Sequence, residues 1–229
     1  MVNQKQERLS FYLISSEIFS EESPIMAARN KYLRETELIR ACSLGDSSLV
    51  SRLVQVPGLN LNYQEDSGST AADRASYHGH TECVKILAAT GKVDWTKKDN
   101  WDGTPLYWAL FRRHADIVKI ILQQPDISYN VRTRKGETLA HAAVRGGDVK
   151  CVETLSAQER CQCFNIPDMS GSTPIMIALE RNRIRIVEIL IGNPRVDLTC
   201  RDGEGWSLLF RAIQKKNLGE TTHYLLPHK

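Results

Sequence analysis

The chain has 229 residues, 41% hydrophobic and 25% charged, which excludes an unfolded, low-complexity composition and supplies apolar material for one large domain or two small ones. Its 30 Lys plus Arg against 27 Asp plus Glu leave a formal net charge of +3, too balanced for a dedicated nucleic-acid binder. Six cysteines in a chain of this size read as reduced thiols in a cytoplasmic or nuclear protein rather than as a disulfide framework.

Residues 1–24 open with MVNQKQERLSFYLISSEIF, an apolar stretch broken by Ser and Glu, which fits neither a secretory signal nor a membrane span. This segment is expected to be disordered. Residues 25–34, following Pro24, predict an N-terminal helix that caps whatever comes next.

From residue 35 onward the chain repeats itself. Thr36, Thr70, Thr104 and Thr138 stand 34 apart, Thr173 follows after 35 and Ser207 after 34 more. Five residues beyond each stands an alanine: Ala41, Ala75, Ala109, Ala143, Ala178 and Ala212. A further ladder, Val50, Val84, Val118, Val152 and Val187, is followed three residues later by Leu53, Leu87, Ile121, Leu155 and Leu190, which is helical spacing on an apolar face. Between units runs an apolar–polar–apolar triplet of extended chain: Leu59-Asn60-Leu61, Val93-Asp94-Trp95, Ile127-Ser128-Tyr129, Cys161-Gln162-Cys163 and Val196-Asp197-Leu198. Each unit therefore reads as a Thr-capped helix, a turn, a second amphipathic helix and an extended loop, with Pro105 and Pro174 in the first turn where their missing N–H costs nothing. One such unit cannot bury its own apolar face, so the array is stable only as a stack.

These features resemble the ankyrin repeat family. Its opening of Gly, any residue, Thr-Pro-Leu-His is approached at Gly68-Ser69-Thr70, Asp102-Gly103-Thr104-Pro105-Leu106-Tyr107, Gly136-Glu137-Thr138-Leu139-Ala140-His141 and Gly171-Ser172-Thr173-Pro174-Ile175-Met176, and its Gly-His turn at Gly79-His80. The resemblance implies an all-α ankyrin-repeat solenoid of about six helix-turn-helix-loop units, near residues 35–66, 67–100, 101–134, 135–168, 169–203 and 204–229. Tyr107, Met176 and Phe210 replace the family's His, so those helices are expected to rely on packing instead of its hydrogen bonds. The polar second helix of the last unit, near residues 220–226, suits a terminal cap.

Chemical motifs are sparse. Cys161 and Cys163 occupy apolar slots of the repeat and read as packing groups rather than metal ligands. Cys83 and Cys151 share a repeat position with Ile117 and Ile186, which makes them core residues. His80 and His114 share a turn position and are expected to bridge neighbouring turns. No nucleophile, base and orienting group stand together, so catalytic residues, cofactors and metals are none. Basic residues at Lys97 and Lys98, at Arg132, Arg134 and Lys135, and at Arg181, Arg183 and Arg185 are interleaved with acids and read as solvated faces.

In the family, partners lie across the loop tips and the exposed side of the first helices. Carried over by position, that face comprises Tyr77, His78, Trp101, Phe111, Arg112, Arg134, Lys135, Arg145, Met169, Glu180, Arg181, Glu204 and Trp206. Tyr77, Trp101 and Phe111, flanked by Arg112, form the candidate anchor, since Trp, Tyr and Arg dominate interface energetics. Trp206 has the alternative of stiffening its own loop, and Trp95 and Trp108 are assigned mainly to packing between units. The resemblance implies a non-catalytic, monomeric scaffold or adaptor that presents a concave surface to a protein partner, without membrane insertion. Two other readings stand beside it: a regulatory binder of nucleic acid or an acidic surface through the basic loops, and a purely structural module of a larger assembly.

Overall fold

The computed structural model describes the backbone of residues 24–214 and side chains over 30–213. The expected disorder of the N-terminal segment before Pro24 and the expected last helix near residues 220–226 lie outside the described residues. Within them the chain forms eleven helices: α1 (Pro24–Leu44), α2 (Ser47–Leu53), α3 (Ala71–His78), α4 (Thr81–Ala89), α5 (Pro105–Phe111), α6 (Ala115–Leu122), α7 (Leu139–Gly146), α8 (Val149–Ser156), α9 (Pro174–Glu180), α10 (Ile184–Ile191) and α11 (Leu208–Gln214). The odd-numbered helices pack side by side in one row, α2 through α10 in a second, and within each unit the two helices pack on each other.

The ladders read from the sequence are the core of this double row. The six alanines of the first helices are all buried to 2% exposure or less, which lets neighbouring backbones approach closely. The Val ladder and its Leu or Ile partners are buried on the second helices. Thr70 and Thr104 cap α3 and α5, their hydroxyls accepting from the N–H groups of Asp73 and Tyr107. Thr138 works differently: its hydroxyl donates to the Cys163 carbonyl at 2.9 Å, while its N–H donates to Nδ1 of His141 at 3.1 Å.

Five expectations are corrected. The capping helix of residues 25–34 does not stop there, because it runs without a break into the first helix of the first unit. Thr36, lacking the glycine turn that precedes the later threonines, lies inside α1 and donates its hydroxyl back to the carbonyls of Tyr32 and Leu33. Tyr107 does not rely on packing alone, since its hydroxyl donates to the buried carboxylate of Glu137 in the next unit. Cys161 and Cys163 are buried as expected, yet they are joined to each other as a disulfide, so two of the six thiols are not free.

The fifth correction concerns register. Asn165 binds the Asp197 N–H and the Arg195 carbonyl as Asn62 binds the Asp94 N–H and the Lys92 carbonyl. Phe164, buried to 2%, therefore takes the apolar slot of Leu61 and Trp95, and the cysteines precede it. The 35-residue spacing before Thr173 hides this shift in the sequence.

Candidate partner-binding surface

The loops between units are tight turns at the ends of the first helices, and one acid organises most of them. Asp99 accepts from the N–H groups of Trp101 and Gly103 through one oxygen, both at 2.9 Å. Asp168 and Asp202 do the same for Ser170 and Ser172 and for Glu204 and Trp206. Adjacent turns are stitched together by the N–H of Asn100 to the Ser67 carbonyl, Arg134 to Trp101 and Met169 to Lys135.

Nine residues after the acid, a first-helix side chain reaches back to it. Arg74 pairs with Glu65, and Arg211 with Asp202 at 2.6 Å. In the third unit the same place is held by Trp108, whose indole N–H donates to Asp99 at 2.8 Å. A flat indole in the arginine slot needs room: a Cβ on Gly103 would stand 2.7 Å from Nε1 of Trp108. Gly103 is thus tied to Trp108 and is not the left-handed turn residue of the motif, a role that falls to Asp102 at φ 61.

Around Trp108 the side chains of α3 and α5 converge. Its ring meets Tyr77 at 5.5 Å, Phe111 at 6.1 Å and Trp101 at 6.4 Å between centroids, each contact edge-on. Trp101 is 54% exposed. The Arg112 guanidinium lies 4.6 Å from the centre of the Tyr77 ring. These rings border a cleft of about 290 Å³ whose polar lining includes Asp73, Asp99, Arg74 and His78. Partial burial, then the neighbouring cations and His80, holds His78 below the ordinary histidine range.

Asp73 stands where His141 stands in the fourth unit and Tyr107 in the third. One of its oxygens accepts from the Thr70 N–H at 2.8 Å and the Thr70 hydroxyl at 2.7 Å, closing a capping box. The other, Oδ1, is buried without a hydrogen-bond partner. Burial pushes the carboxyl up to about 7, against the two Thr70 hydrogen bonds that pull it down.

Of the residues carried over from the sequence, Tyr77, His78, Trp101 and Phe111 share this cleft and Arg112 covers Tyr77. The others are spread elsewhere. Arg134, Lys135 and Met169 follow one another along exposed turn tips, with Met169 exposed to 79%. Arg145 turns inward, bridging Glu137 at 2.8 Å and Asp168 at 3.1 Å. Glu180 and Arg181 are exposed at the end of α9. Trp206 stacks on Phe210 at 4.1 Å while its indole N–H and Arg211 both reach Glu204, so it stiffens its own loop.

Sequence reasoning missed the hub of the cluster, Trp108, along with Asp73, Asp99 and Arg74. The nine-residue spacing of acid and donor was available as a signal, as was an acid standing at the position of a histidine. His80 and His114 do bridge turns, donating to the carbonyls of Ser43 and Tyr77 at 3.1 and 3.2 Å. In the fifth unit Arg183 takes over that task through the carbonyls of Gly146 and Arg145. Among the described residues no group of three His, Cys, Asp or Glu side chains could hold a metal, and no helix is long and apolar enough to cross a membrane.

A family model described as ankyrin repeats (3 copies) matches residues 38–133 and 127–202. The chain is 28% identical over 194 residues to the E3 ubiquitin-protein ligase KEG of Arabidopsis thaliana, covering 79% of this chain and 12% of that protein. It is 35% identical over 106 residues to the human SMC5-SMC6 complex localization factor protein 1, covering 45% of this chain and 10% of that one. Against the putative ankyrin repeat protein FPV223 of fowlpox virus it is 31% identical over 125 residues, covering 55% of this chain and 84% of the relative. It thus spans only about a tenth of the plant and human proteins. The chain belongs to the ankyrin repeat family, whose members are generally non-catalytic protein-interaction modules.

Proposed function

We propose that this chain is a non-catalytic scaffold or adaptor that holds a protein partner against the turn tips and first helices of its second and third units. The observation that carries the reading is the convergence of Tyr77, Trp101, Trp108 and Phe111 on one open cleft, with Arg112 laid over Tyr77. Trp, Tyr and Arg are the side chains that supply most interface energy, because they bury large areas at modest entropic cost. A rigid repeat array spares a partner complex the cost of ordering this surface.

The test is affinity capture from cell lysate at moderate salt, comparing the wild-type chain with a Trp101→Ala, Phe111→Ala, Arg112→Ala variant of verified fold. Proteins retained by the wild type and lost by the variant support the reading. An unchanged set removes this face from it, and retention of nucleic acid alone, falling steeply with salt, replaces it with electrostatic binding through the basic turns.

A further inference from the structure

We infer that the cleft between the second and third units is a receptor for a lysine side chain, the ammonium group of a basic segment of the partner, walled by Trp101, Trp108 and Tyr77 and neutralised by Asp73. The inference rests on the proposed scaffold reading and names the chemistry that its anchor recognises.

Three independent observations support it. The first is shape. Trp101 and Phe111 stand nearly perpendicular to Trp108, at 90° and 89°, and Tyr77 at 69°. All four rings border the cleft of about 290 Å³, with Trp108 at the hub and the other three edge-on to it. Aromatic faces attract cations through their quadrupole, and the patch already holds one, Arg112 over Tyr77.

The second is the unsatisfied Asp73. Its residue is only 2% exposed, and Oδ1 has no hydrogen-bond partner. A buried carboxylate oxygen left unpaired is a standing cost, which an incoming N–H donor removes. Oδ1 is covered in the free chain, so an ammonium reaches it only when side chains bordering the cleft move aside.

The third is the charge balance. Asp73 and Asp99 both line the cleft, whereas its one arginine, Arg74, is already paired with Glu65 outside it. An acidic side chain would meet two carboxylates. A guanidinium wants two parallel acceptors, and both oxygens of Asp99 are already taken by Trp101, Gly103 and Trp108. One free oxygen suits the compact ammonium of lysine. The groups facing Asp73 are Thr70 before it, Arg74 beside it and Asp99 from the next turn.

The experiment is an NMR titration of the ¹⁵N-labelled chain at pH 8, where Asp73 is ionised, reading the indole N–H signals of Trp101 and Trp108. The probe is n-butylammonium chloride, with n-butylguanidinium, n-butanol and butyrate as comparisons. Butylammonium is expected to give saturable shifts at both indoles. Asp73→Asn, which keeps an oxygen for the Thr70 cap, is expected to weaken its binding about tenfold. Trp101→Ala, a surface change that leaves the core intact, is expected to weaken it about fivefold. Equal binding of butanol, butyrate or butylguanidinium, or undiminished binding to Asp73→Asn, overturns the inference. If butylammonium fails while capture from lysate still depends on Trp101, the lysine receptor falls and the scaffold reading stands. If butylammonium binds as described while capture is indifferent to Trp101, the scaffold face is wrong and the receptor stands.

Discussion

The third and fourth units share one 34-residue frame and spend it differently. In the fourth, glycines hold the two left-handed turn positions, Gly136 and Gly147, and His141 ties Thr138 to the Ser172 carbonyl of the next unit. In the third, both left-handed positions carry side chains, Asp102 at φ 61 and Arg113 at φ 70, and an indole replaces the usual charged partner of the turn acid. The fourth unit obeys the local rules of stability; the third breaks them at both ends of α5, next to the cleft. Among the described residues the fifth unit has one such position as well, Asn182 at φ 53, so the third unit is set apart by carrying two and by its indole.

The largest expected effect lies in the regular unit. His141→Ala strips the Thr138 N–H and the Ser172 carbonyl of their partner in a buried place, and should cost about 3 kcal/mol in chemical denaturation.

A pH series sharpens the contrast, because Asp73 and His141 hold the same repeat position with opposite titration. Asp73 has its folded value raised from 3.8 to about 7, so between those limits the folded chain keeps a proton that the unfolded chain releases. Its contribution is full below about pH 4 and is lost as pH rises toward 7, at up to about 1.4 kcal/mol per unit. Burial lowers His141 below 6.5, so its contribution is present above pH 6.5 and is lost as pH falls. Asp73→Asn should flatten the loss on the rising side only, which urea midpoints at pH 5, 6, 7 and 8 would reveal as about 2 kcal/mol gained at the top of the range.

Smaller effects follow from the turns. Asp102→Gly and Arg113→Gly should each stabilise the chain by about 1 kcal/mol, because a left-handed backbone disfavours any Cβ. The weak exposed pair of Asp102 with Arg134, at 3.8 Å, subtracts little from that gain. Gly136→Ala in the fourth unit should cost about 1 kcal/mol for the same reason. Trp101→Ala should change the melting temperature least of all, since most of that side chain already meets water.

Most of the fold was legible because each ladder recurs in unit after unit, so that a single noisy position cannot erase the pattern. The fused helix α1 was not, since nothing in the ladder says that Thr36 lacks the preceding turn. Nor was the register at Phe164, where one inserted residue lets two cysteines imitate the apolar triplet. The candidate site was legible at its rim, in Tyr77, Trp101, Phe111 and Arg112. Its centre was not, because Trp108 reads in the sequence mainly as packing between units, while its indole N–H fills the place that Arg74 and Arg211 hold in theirs. Arg145, placed on that face by its position, is a charged side chain near a turn tip that bridges Glu137 and Asp168.

The central claim is that the third unit's departures serve partner binding rather than folding. It is tested most directly by measuring lysate capture and melting temperature on the same preparations of three chains: wild type, Trp101→Ala, and Arg134→Ala with Lys135→Ala. The account predicts that the aromatic variant loses the retained proteins and melts close to the wild type, while the basic-turn variant keeps them. Retention by the aromatic variant, or loss confined to the basic-turn variant, would contradict it.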